Sequence, residues 1–209
     1  MSSIVLTADT LLGTTPTIGS VEYDGKAFYN TAQGTQRGII PGAQFFRLNS
    51  DLAGANVATA QNIFGVSVTL STSTIYVFEA IYYLNKTAGT TSHNVGFGFG
   101  GTATLNSILY DAIGFDGSAT LPTTGNATRL SASASAANLQ FSGTISSAAE
   151  TVIANIKGTV SINGGGTFTP QYTLSAAPGG AYSTMANSYF LIYPIGASGA
   201  NTSVGAWAA

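Results

Sequence analysis

From Thr151 to Ile162 the chain alternates. Val152, Ala154, Ile156, Gly158, Val160 and Ile162 fall on one side of an extended backbone, and Thr151, Ile153, Asn155, Lys157, Thr159 and Ser161 fall on the other. A competing signal overlaps this run. Ser147-Ala-Ala-Glu150 reads as a capping box, and Thr151 to Lys157, with Gly158 behind it, matches a short helix. The period of two persists about twice as long as the helical match, so a strand is predicted. Thr74 to Leu84 repeats the pattern with larger side chains: Tyr76, Phe78, Ala80 and Tyr82 share one face, and Val77, Glu79, Ile81 and Tyr83 the other. Both faces are largely apolar, which predicts a central strand covered on both sides. Val66 to Leu70, His93 to Phe99, Thr102 to Tyr110, Asn138 to Ile145, Phe168 to Leu174 and Ser188 to Ile195 read as further strands. Turn residues punctuate them at Asp24-Gly25, Asp116-Gly117, Asn163 to Gly166 and Pro178 to Gly180. Strands at this spacing, without helices between them, predict an all-β chain whose residues 42–209 form an antiparallel β-sandwich or jelly-roll-like head. Residues 1–41 hold only two short apolar runs, Ile4 to Leu6 and Val21 to Tyr23. They are expected to form an extended N-terminal arm that orders against another chain.

Composition narrows the function. Ala, Gly, Thr and Ser supply 106 of the 209 residues, and charged residues only 7 %, against about 25 % in a typical soluble domain. Six scattered Lys and Arg cannot neutralise a nucleic-acid backbone, so no nucleic-acid partner is expected. The absence of Cys and the single His93 exclude a disulfide framework, thiol catalysis and two-His metal sites. The longest apolar stretch, Ile75 to Leu84, is interrupted by Glu79 and falls well short of the roughly 20 residues that span a bilayer. The N-terminus has no basic region ahead of its apolar residues, so neither a secretory signal nor membrane insertion is expected.

No motif nominates a catalytic centre. Gly96 to Gly101 satisfies G-x-G-x-x-G, but a dinucleotide site needs a helix behind that loop, and Thr102 to Tyr110 is strand-like. The glycines are read instead as points of close backbone approach. No spacing pairs the eight acids as a glycosidase would need. Glu79, in a strand apolar on both faces, is expected to be a buried structural carboxylate paired with Arg47 or Arg129. His93 is expected to be a strand-end histidine with ordinary hydrogen bonds. Neither a cofactor nor a metal is expected, and the chain is read as no enzyme. Tyr29, Tyr182 and Trp207 fall in predicted loops or near a terminus, where an aromatic ring could stack on a glycan; Tyr182 and Trp207 are the candidates retained.

Gly19 to Gly38 (GSVEYDGKAFYNTAQGTQRG) resembles the EYDG…FY…RG element of bacteriophage tail-fibre proteins, where it often precedes the C-terminal globular domain. Arg47 to Gly65, Gly158 to Gly180 and Ser188 to Gly196 are similar in texture to such virion proteins. The resemblance implies a β-rich head, commonly a homotrimer, assembled in the host cytoplasm and displayed on the virion. It also implies other phage proteins, of tail or capsid, as partners, with host surface polysaccharide as a further contact. Val21, Tyr23, Asp24, Gly25, Phe28 and Tyr29 are the implied attachment and oligomerisation residues. Because the element begins at Gly19, the expectation is a short tail-fibre or tail-tip subunit. The alternatives are a capsid decoration protein or a carbohydrate-binding module.

Overall fold

The computed structural model describes residue 6 and residues 15–34, 36–116, 128–132, 139–140, 142, 144–199, 204–205 and 207. The Gly117 half of the Asp116-Gly117 turn and most of the first fourteen residues lie outside these. Among the described residues there are sixteen strands and no helix. In chain order they are β1 (Val21–Tyr23), β2 (Phe28–Gln33), β3 (Gln36–Ile40), β4 (Gln44–Arg47), β5 (Leu52–Ala53), β6 (Gln61–Asn62), β7 (Val68–Leu70) and β8 (Thr74–Lys86). There follow β9 (Val95–Gly100), β10 (Thr104–Asp116), β11 (Thr128–Ala132), β12 (Leu139–Gln140), β13 (Glu150–Gly164), β14 (Gly166–Leu174), β15 (Ser183–Thr184) and β16 (Tyr189–Ala197).

β8 is the centre of an antiparallel sheet. One of its edges pairs with β13, which leads on to β10 and β11. Its other edge is shared between β16, backed by β4, and β15, backed by β5. Facing it is a smaller antiparallel sheet, β12-β9-β14-β6, with β7 on the opening residues of β14. The alternation at Thr151 to Ile162 is therefore strand, as predicted, and its Val152 side faces inward: Val152, Ala154, Ile156 and Ile162 are fully buried. Ser147 to Glu150 forms no helical cap; the strand simply begins at Glu150.

Between the sheets lies a cluster of rings. Phe78 of β8 sits 5.1 Å from Phe99 of β9 and 5.8 Å from Phe190 of β16, while Phe99 stacks on Phe168 at 4.5 Å. Each such ring removed from water contributes about 1.5–3 kcal/mol of transfer free energy. The glycine-rich run is β9 itself, not a phosphate cradle. Gly101 closes it at φ +113°, and a Cβ there would come within 2.2 Å of the Thr167 carbonyl oxygen.

Two expectations need correction. β8 is covered on one side only: Tyr76, Phe78, Ala80, Tyr82 and Leu84 are buried, whereas Ile75, Val77, Glu79, Ile81 and Tyr83 are half-buried on the outer face. Glu79 is accordingly no buried carboxylate. Its row across the sheet runs Leu191, Glu79, Lys157, Asp111, Arg129, so Arg129 stands two strands beyond its neighbour Lys157. Arg47 is spent on Asn187 and Asn49. The second concerns Asn138 to Ile145, whose described residues form the two-residue β12 and an isolated bridge from Ile145 to His93 in place of one continuous strand.

Burial also sets an alkaline limit. It pushes the Tyr172 hydroxyl up to about 12 and Tyr82 well above its ordinary value. An unfolded tyrosine ionises near 10, so the unfolded state sheds these protons first. Stability is held below that pH and falls as pH rises from about 10 toward the folded values. In an ultraviolet titration, Tyr82 and Tyr172 are expected to ionise only as β-structure is lost. A single step with the fold intact would contradict this.

Candidate functional site

The tail-fibre-like element folds on itself. Residues 21–40 form the three-stranded meander β1-β2-β3, with Glu22 opposite Tyr29, Tyr23 opposite Phe28, and Thr31 opposite Arg37. Asp24 makes the first turn: its Oδ1 accepts the backbone N–H groups of Lys26 and Ala27, each at 2.7 Å. This is the local bonding that suits Asp to turns. Gly25 follows at φ +87°, a conformation that an L side chain rarely adopts. The Tyr29 hydroxyl donates to Asp24 Oδ2 at 2.9 Å, and Tyr23 stacks on Phe28 with centroids 4.5 Å apart. Arg37 on β3 reaches across β2 to Glu22 on β1, with Nε to Oε2 at 2.6 Å and Nη2 to Oε1 at 3.0 Å. The pair is part-exposed, so its two-point grip contributes on the order of 1 kcal/mol.

Every lettered residue of the element thus has a place in one small sheet. Asp24, Gly25 and Tyr29 serve inside it, and Tyr29 is 4 % exposed. Phe28 and Val21 remain on its surface, at 40 % and 52 % exposure, beside Ile18 at 66 %. Within the arm, β1, β2 and β3 form a sheet with its own cross-strand contacts. Lys26 Nζ ties it to the head by donating to the Thr72 carbonyl at 2.8 Å. The Glu22–Arg37 pair went unrecognised as a unit in the sequence. Its signal was the opposite charges at the two ends of the element.

The aromatic candidates separate sharply. Tyr182 is fully buried and cannot stack on a ligand. Its hydroxyl donates to His93 Nε2 at 2.9 Å, while His93 Nδ1–H donates to the Thr91 carbonyl at 2.7 Å. Beside them the buried Lys86 donates to the carbonyls of Gly89, Ser147 and Ala148. Burial lowers its ammonium from the ordinary value, and the Glu150 carboxylate acts the other way. The lysine pins two loops. Tyr29 is likewise withdrawn from stacking. Trp207 is not: it is 80 % exposed, and its indole N–H donates to the Val204 carbonyl at 2.7 Å.

Among the described residues no three His, Asp or Glu side chains gather where they could hold a metal ion, and no helix is long and apolar enough to cross a membrane. Comparison with protein-family models, with curated proteins and with solved structures returned no match.

Proposed function

We propose that the chain is a non-enzymatic bacteriophage virion structural protein, a short tail-fibre or tail-tip subunit assembled in the host cytoplasm and displayed on the particle. The observation that carries this reading is the N-terminal meander. The EYDG…FY…RG residues are used up in folding it, and its exposed Ile18, Val21 and Phe28 stand at the place where such an element joins a head to the rest of a fibre. Exposed large apolar residues on a small sheet favour an interaction surface. The outer face of the β8 sheet, with half-buried Ile75, Val77, Ile81 and Tyr83 and exposed Leu109 and Ile113, supports assembly into a homotrimer. Light scattering should give a mass near three chains of 21.1 kDa.

The test is complementation of a phage lacking the gene with a chain deleted of residues 1–41, followed by mass spectrometry of purified particles. The truncated head should be soluble and absent from virions. Normal incorporation would mean that the head attaches itself, which is the behaviour of a capsid decoration protein.

A further inference from the structure

We infer that the groove between the N-terminal sheet and Trp207 binds a neutral oligosaccharide. The groove is open, has a volume of about 500 Å³, and is lined by Asn30, Gln33, Gln36, Arg37, Gly38 and Trp207 among others. Its size lies within the roughly 300–1,000 Å³ of small-ligand sites, and an open trough suits a chain passing through. Three properties point to sugar. Trp207 presents an indole that is 80 % exposed yet fixed in orientation by its own N–H bond to Val204, so little freedom is lost when a ring stacks on it. Asn30, Gln33 and Gln36 are amides, each able to donate and to accept, as hydroxyl-rich ligands require. The Gln33 side-chain amide donates to Gln36 Oε1 at a long 3.5 Å, a weak contact that a ligand hydroxyl can replace. The third property is charge. The Arg37 guanidinium is held on Glu22 by two bonds, so the described lining offers an anion no uncompensated cation.

This deepens the proposed function by naming what a displayed head would touch, and the experiment reads the two separately. Trp207 is the only tryptophan in the chain, so its fluorescence, excited to the red of the ten tyrosines, reports on this groove alone. Full-length protein is titrated with maltohexaose, cellohexaose and chitohexaose, and with a hyaluronan hexasaccharide as the acidic comparison. A saturable fluorescence change is expected with at least one neutral sugar, at a dissociation constant of roughly a millimolar or tighter. By calorimetry, Trp207→Ala should weaken that binding by roughly tenfold and Gln36→Ala by roughly threefold, both with unchanged circular dichroism. Failure of all three neutral sugars to saturate overturns the inference. So does binding of the acidic sugar alone, or calorimetric binding that Trp207→Ala leaves intact. Particles carrying the Trp207→Ala chain should incorporate it normally; its exclusion from particles, with sugar binding by the native chain intact, would count against the proposed attachment role and not against the groove.

Discussion

Replacing Phe78 by alanine is expected to lower the stability of the head by about 3–5 kcal/mol, the upper part of the range for core truncations. The ring is 1 % exposed and meets Phe99, Tyr110, Phe168 and Phe190 at centroid distances of 5.1, 6.4, 6.2 and 5.8 Å. Those neighbours belong to four different strands, β9, β10, β14 and β16. Each is held by its own ladder, so none can move in to fill the space, and a cavity that cannot collapse forfeits the dispersion contacts of its lining. Urea unfolding followed by circular dichroism measures the loss. Val66→Ala, at a position 46 % exposed between β6 and β7, is the control and should change stability by no more than about 0.5 kcal/mol. A Phe78→Ala loss below about 1 kcal/mol would mean that the rings repack.

Lys86→Met should cost about 2–4 kcal/mol. The ammonium has three donors and gives them to three carbonyls, from Gly89 at 2.9 Å, from Ala148 at 3.3 Å and from Ser147. The Tyr182 ring lies 5.9 Å below it. Methionine keeps the bulk of the stem and removes every one of those bonds. The effect is local, which separates it from the Phe78 cavity: hydrogen exchange should rise in residues 87–92 and 144–149 while β9 and β14 stay protected. Unchanged exchange in both loops would show that Lys86 does not tie them.

How much of this was legible depends on where each contact lies along the chain. β8 and β13 were readable because a half-buried strand writes its two faces into consecutive residues, and the longer alternation correctly outweighed the capping box at Ser147. The meander was not readable. What holds it is Glu22 with Arg37 and Asp24 with Tyr29, pairings fixed by backbone register rather than by any apolar period. Glu79 was misplaced because an outer face rich in Ile, Val and Tyr looks the same in sequence as a covered one. Tyr182 sits between turns and reads as a loop residue, yet its partner His93 is 89 positions away. Lys86 drew no notice, since a lysine ending a strand usually points to water. Of the proposed contact residues, only Trp207 and the surface side of the meander were placed where a ligand or partner can reach them.

The central position of β8 has a consequence for how the protein is made. One of its edges is closed by β13 and the other by β16, which begins about a hundred residues later in the chain. At ribosomal speeds of roughly 5–20 residues per second, the nascent strand waits some 5–20 s for its last neighbour. During that wait Ile75 to Leu84 keeps at least one edge open, able to join the same ribbon of another chain. Glu79, at its middle, is the single charge in that stretch. In the folded sheet it occupies an outer, half-buried position; on the unfinished chain it is a gatekeeper, because stacking identical strands would set carboxylate upon carboxylate.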